Sequence, residues 1–387
     1  MMASTRARRA VSTVFFVNGA VLASWVAQIP EVKARHAISD GRLGLVLLAM
    51  AAGSILALPL AGWLIGRWGS RLTTVIAAIG LCLALPWPIS SPSALLAAVA
   101  LAILGACNGL LDVSMNAQAV AVEERYRRPI MSSFHGLWSV GGVVGAVAAS
   151  GAMAMHVAPR WHVLGVAVLS GALVALALRD LVPVRPSRGR PPSVFARPRA
   201  TVIGLGLVGF GGLLTEGAVA DWSAVYLRDA LGAAPSLSAA GFGAFSLMMA
   251  VARFGGDRLR RRLGPRALLR GSSAIAAGGL GGALLIGAPI AAIVGFGLVG
   301  LGVANVIPVV FSAAGRIAGT SPGAALAAVA TTGYCGYLAG PALIGLGAEV
   351  LGLPVALGLV SAVCGLIAVG AAQLPRRESQ LAGRLLS

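Results

Sequence analysis

Apolar stretches long enough to cross ~30 Å of hydrocarbon recur about every 32 residues along this 387-residue chain, and that recurrence constrains its fold more than any motif does. Twelve can be placed, at 11–30, 42–65, 73–89, 95–120, 130–153, 161–181, 201–227, 237–255, 267–286, 290–314, 324–349 and 353–374. Each reads as a transmembrane helix, so the expected class is an all-α integral membrane protein. With 58% hydrophobic and 11% charged residues, a soluble globule of ordinary composition is excluded.

A net charge of +18 would point to nucleic acid in a soluble chain, so the placement of the charges decides their meaning. Counted by connecting segment, 25 Lys and Arg residues fall on one side of the helix ladder and five on the other: Lys33, Arg35, Arg42, Arg160 and Arg228. By the positive-inside rule both termini are then cytoplasmic. The basic charge serves insertion and contact with the lipid bilayer, and no nucleic-acid partner is expected. Cys82, Cys107, Cys335 and Cys364 lie in apolar spans without paired spacing and read as small buried hydrophobes. The first apolar run follows Arg6, Arg8 and Arg9 without a convincing cleavage site and reads as a retained helix.

The chain also repeats itself. Trp25 and Trp222 stand 197 residues apart, as do Asn108 and Asn305, Gly136 and Gly333, Gly44 and Gly241, and Ser39 and Ser236. The offset slips to 195 where WGSRLTT (68–74) faces LGPRALL (263–269). A duplicated six-helix unit follows, with bundles at 1–178 and 200–387 joined by a Pro- and Arg-rich cytoplasmic linker at 179–199. In such parallel repeats the substrate site lies near the midplane between the halves.

Charged groups in these spans need a reason, because a charge near the bilayer centre costs roughly 3 kcal/mol on insertion scales. Glu216 and Asp221 sit in GLLTEGAVADWSAVYLRD (212–229). Asn108, Asp112 and Asn116 share one helix face at i, i+4, i+8. Asp112 lies 11 residues from Glu123, roughly 17 Å along a helix, and Asn305 lies as far from Arg316. Asn18, nine residues from Arg9, reaches a similar depth. Gln28 occupies the outer region of the first helix. Gly141 and Gly145, like Gly336 and Gly340, form G-x-x-x-G faces for close helix packing, and Pro59, Pro308 and Pro341 mark kinks.

Twelve spans in a 6+6 arrangement, with GWLIGRWGSR (62–71) after the second, resemble the major facilitator superfamily and its loop signature G-x-x-x-D-R-x-G-R-R. Gly62, Arg67, Gly69 and Arg71 match, while Gly66 and Ser70 depart from it. In the second copy, GDRLRRRLGPR (256–266), Arg262, Gly264 and Arg266 match and Arg261 stands at the acidic position, leaving Asp257 spaced to pair with Arg253 or Arg261. The resemblance implies a major facilitator fold whose helices 1, 4, 7 and 10 line a central cavity, and a gating role for these loops. WVAQIPEVKARHAISDGRLGL (25–45), NGLLDVSMNAQAVAVE (108–123), RPIMSSFHGLWSVGG (128–142) and EGAVADWSAVYLRD (216–229) are similar to the rhizopine-permease-like bacterial branch, near the fucose-permease-like sugar transporters. That implies an inner-membrane secondary transporter, alternating access, and a sugar, cyclitol or related small polar solute.

On this reading Asn18, Asn108, Asn116, Asn305 and Gln28 are candidate substrate ligands, since amides both donate to and accept from hydroxyls, and Trp25 and Trp222 are candidate apolar platforms. Asp112, Glu216 and Asp221 are candidate proton-coupling groups. The asparagines have an alternative role in bonding neighbouring helices. Asp221 has others as a gate or a partner for Arg228, and His135 reads as a buried hydrogen-bonded group before a proton relay. The chain contains no nucleotide-binding loop, and its scattered histidines offer no catalytic constellation. A monomer without cofactor is expected, working with a small-molecule substrate and protons. Efflux by antiport and a non-transporting sensor are the competing readings.

Overall fold

The computed structural model describes residues 2–126, 130–183, 200–314 and 322–373. The chain opens with α1 (Met2–Val26), α2 (Ile29–Arg35), α3 (Asp40–Ala84), α4 (Trp87–Ser90), α5 (Ala94–Tyr126), α6 (Met131–Ala154) and α7 (Pro159–Ala177). It continues with α8 (Ala200–Val225), a π turn at Tyr226–Ala230, α9 (Pro235–Ser238), α10 (Ala240–Leu263), α11 (Pro265–Ile286) and α12 (Pro289–Val303). The last helices are α13 (Val306–Ala314), α14 (Pro322–Leu351) and α15 (Leu353–Gly370).

Local sequence explains many boundaries. Ser39 caps α3 by accepting from the Arg42 amide, and Asp40 puts negative charge on the first turn. Proline opens α7, α11 and α12, where its missing N–H has no partner to lose. The expected tenth span is split into α12 and α13 at Ala304–Asn305, because Pro308 cannot donate to the carbonyl four residues back. Pro59 and Pro341 lie inside α3 and α14.

Eleven long apolar helical segments, among the described residues, stand where twelve spans are expected. The second and third expected spans run together as the 45-residue α3, whose length at 1.5 Å per residue is about twice a bilayer. The break falls at Gly69, with φ 83° and ψ 159°, a conformation open essentially to glycine alone. Gly264, between α10 and α11, has φ 81° and ψ 159°. The turn at the first copy of the loop signature is thus reproduced 195 residues on.

Lipid supplies no hydrophobic drive for helices to associate, so close backbone approach takes over. α3 packs on α5, α1 on α6, α8 on α14 and α10 on α12, while α6 against α10 and α3 against α14 join the two parts of the chain. A Cβ on Gly141 or Gly145 would strike the Phe16 or Ala20 carbonyl of α1, and one on Gly336 would strike the Phe210 carbonyl of α8. The outer surface is apolar, with Leu285 90% and Val350 80% exposed, whereas Asn18, Gln28 and Gln118 are at most 2% exposed. Polar groups therefore face inward. One end of the bundle, here the basic end, carries Arg8, Arg71, Arg125 and Arg260. The other end carries α2, the start of α3 and the end of α14.

Candidate functional site

Three helices meet at Asn18. Its Nδ2 donates to Asn108 Oδ1 at 2.8 Å, and its Oδ1 accepts from Trp138 Nε1 at 2.6 Å. The amide is bonded on both sides by α5 and α6. One turn along α5, Asp112 accepts from Tyr334 of α14 at 3.1 Å and from Asn116 Nδ2 at 3.1 Å. Asn116 also donates to the Asp112 carbonyl at 2.8 Å. The stripe of Asn108, Asp112 and Asn116 does share a face, and Asp112 is the member that reaches the second part of the chain.

Glu216 of α8 faces Arg253 of α10, with Oε1 3.9 Å from Nη2 and side-chain exposures of 20% and 13%. That is an ion pair longer than a hydrogen bond. Arg253 also leans the other way: Nη1 donates to Ser139 Oγ at 3.0 Å and to the His135 carbonyl at 3.5 Å, and the guanidinium lies 5.7 Å from the Trp138 ring centre. The same arginine thus engages α6 and α8, and through Trp138 it adjoins Asn18. The His135 ring meets Phe15 edge-on at 5.2 Å.

This position corrects two expectations. Arg253, two residues from the end of the expected span 237–255, lies well inside a membrane-spanning helix, because α10 runs ten residues beyond it to Leu263, about 15 Å. It is held by Glu216, Ser139 and the His135 carbonyl. The Asp257 side chain, its suggested partner, lies outside the described residues. Arg228 likewise pairs with Glu31 at 3.4 Å instead of with Asp221. Asp221 has no ion pair or hydrogen bond among the described residues.

Trp25 and Trp222 are buried, at 1% and 0% exposure. Both indole N–H groups, the Gln28 Oε1 and the hydroxyls of Ser24 and Ser223 lack partners among the described residues. Asn305 stands apart, its amide against Gly256 of α10. Tyr337 of α14 lies beside Gly217 and within electrostatic reach of Asp112, Glu216 and Asp221.

Above the network the far end is drawn shut. Lys33 Nζ contacts Asp40 at 2.6 Å and Asp229 at 2.7 Å, and Glu349 Oε2 accepts from the Gly41 amide at 2.9 Å. Gly44 and Gly345 bring α3 and α14 into backbone contact there. At the basic end, Arg71 donates to the Leu178 carbonyl at 3.1 Å, Arg67 stacks over Trp63 at 5.6 Å, and Gln118 ties Ser70 to the Val182 backbone. Gly62 has open space around it, and Arg262 is exposed.

Sequence reasoning missed Trp138, Tyr334 and Tyr337, and gave Arg253 only a local pairing with Asp257. The tyrosines left a usable signal, two of only four in the chain at near one-turn spacing in an apolar helix. Arg253 was masked by the arginine run that follows it.

A sequence profile of the Major Facilitator Superfamily matches residues 11–321. An uncharacterized MFS-type transporter of Yersinia pestis is 39% identical over 364 residues, covering 94% of each chain. Membrane protein MosC of Rhizobium meliloti is 34% identical over 375 residues, covering 96% of this chain and 90% of its own. Among solved structures, the nucleoside transporter NupG superposes with a TM-score of 0.73 at 11% identity, over 96% of this chain and 98% of its own. That likeness extends the match to the fold. The all-helical architecture, the family match over most of the chain and relatives of nearly full length lead to one assignment: this chain belongs to the Major Facilitator Superfamily and is a membrane transporter.

Proposed function

We propose that the protein moves a small hydroxylated solute, of the sugar or cyclitol type, across the bacterial inner membrane by proton-coupled alternating access. Units 1–178 and 200–387 rock against each other about the linker 179–199. The observation that carries this reading is the bridge across them: Arg253 between Ser139 and Glu216, and Tyr334 on Asp112.

The basic end is cytoplasmic on the positive-inside argument, so the closed end faces outward. Glu31 and Arg228 are related by the internal offset of 197 residues, and they touch. Repeat-related residues meet only near the axis between the repeats, so this pair seals the centre of the far end. Opening outward requires it to part, together with the contacts of Lys33 with Asp229 and of Glu349 with Gly41.

Solute contacts fall to groups with bonding capacity to spare. Trp25, Trp222 and Gln28 present two donors and one acceptor without partners, the pattern a polyol can complete. Asn18 is already committed to its neighbours and positions Asn108. A proton arriving at Glu216 removes the charge facing Arg253, which leaves the guanidinium to α6 alone and frees α8 and α10 to shift. The step moves one proton and breaks no covalent bond beyond that O–H exchange.

The test is proton movement in proteoliposomes of the purified protein as sugars, cyclitols and nucleosides are added in turn. Inward proton flux with one solute class, abolished in Glu216→Gln, is the expected result. Solute uptake with no accompanying proton flux would sink the coupling, and no uptake of any polyol would sink the substrate class.

A further inference from the structure

A second polar feature lies at the basic end, away from the network. An open cavity of about 490 Å³ is lined by Thr5, Arg8, Arg9, Ser12 and Thr13 of α1 and by Tyr126, the last residue of α5. Among the described residues every lining side chain is polar and none is acidic. Arg8 is held with its guanidinium 5.3 Å from the Tyr126 ring centre, and Thr13 donates to the Arg9 carbonyl at 3.0 Å, which braces the turn that carries Arg9. Among the described residues neither arginine has a carboxylate partner.

Two guanidinium groups without counter-charge beside a hydroxyl-lined volume define the chemistry of a ligand. Guanidinium forks match the oxygens of a phosphate two at a time, and the Ser12 hydroxyl supplies a further donor. We propose that this cavity binds a phosphate-type oxyanion, carried either by the headgroup of an anionic phospholipid or by a soluble phosphate. The occupant clamps the starting turns of α1 to the end of α5. These two helices meet again at Asn18 and Asn108, nine residues beyond Arg9, ~14 Å along α1. Occupancy therefore braces the helix pair on which the polar network is built.

The experiment uses full-length protein stripped of lipid in neutral detergent and melted in two arms. One arm adds phosphatidylglycerol, and the other adds inorganic phosphate at constant ionic strength. A rise in melting temperature with phosphatidylglycerol alone identifies a lipid site, and a rise with phosphate identifies a soluble-anion site. Either rise must vanish in the Arg8→Gln/Arg9→Gln double variant and persist in Arg6→Gln, whose exposed side chain is outside the cavity. Should the double variant not fold, Arg9→Gln alone is expected to raise the half-saturating concentration about tenfold. No rise in either arm, or a rise unchanged in the arginine variants, overturns the proposal.

Discussion

α1 and α8 carry corresponding stretches, with Trp25 and Trp222 197 residues apart, yet they hold their polar groups in opposite ways. On α1 the buried polar group at mid-depth is a neutral amide, and Asn18 is bonded on both sides at 2.8 and 2.6 Å. On α8 the groups are carboxylic acids with few bonded partners. Glu216 faces one cation at 3.9 Å, and Asp221 has no bonded partner among the described residues. A fully bonded neutral network has no cheaper arrangement to move to. A long ion pair can exchange its partner. On the mechanism proposed above, the difference makes α1 the fixed bearing of the molecule and α8 the carrier of its movable charge.

The largest expected effect comes from Arg253→Gln, which strands Glu216 in a site only 20% exposed. Loss of one member of a buried pair costs about 3–5 kcal/mol, so thermal stability should fall sharply and uptake should cease. Adding Glu216→Gln should recover most of the stability and none of the proton coupling. A double variant as unstable as Arg253→Gln alone would show that the arginine matters only for α6.

Asn18→Ala comes next. It leaves the Trp138 N–H and the Asn108 carbonyl oxygen unpaired, at about 1–3 kcal/mol for each buried group. Melting should drop, and no change on α8 should rescue it. If the variant keeps wild-type stability but loses uptake, α1 is no bearing and Asn18 touches the solute directly.

A smaller effect is expected at the closed end. Lys33→Gln removes a partly exposed ion-pair centre worth about 1 kcal/mol or less, and should shift the population toward the outward-open form with little change in melting. In a background lacking the native cysteines, Ser24→Cys, now 0% exposed, should react faster with a membrane-impermeant thiol reagent once Lys33 is replaced. Equal rates would mean that the ion pairs do not hold the end shut.

Asn305→Ala should do least. The residue lies against Gly256 and outside the network, so melting and uptake should stay within about 0.5 kcal/mol of wild type. A strong loss of uptake would return Asn305 to the solute path and blur the contrast between the two helices.

Much of the fold was legible because lipid makes it so. An apolar run of some 20 residues must satisfy its backbone internally, and the pairing of φ above 80° with ψ near 159° calls for glycine, as at Gly69 and Gly264. The candidate polar residues were legible for the same reason, since charge in an apolar span has to face inward. Their partners were not. Arg253 was spaced to pair locally with Asp257, whereas its partners are Glu216 and Ser139 on two other helices. Asn108 and Asn305 occupy matching places in the repeat, yet one joins the network and the other packs on a glycine backbone.

By itself, then, the sequence determined the helical spans, the glycine and proline positions that divide them, and which side chains cannot face lipid. These are outcomes of local geometry and of transfer between water, lipid and protein. Only the tertiary structure decided that Asp112 meets Tyr334 across 222 residues, that Arg253 turns toward Glu216 and Ser139, and that Glu31 finds Arg228. Such pairings depend on the rotation and depth at which packed helices settle against one another, and no periodicity within a single helix carries that information.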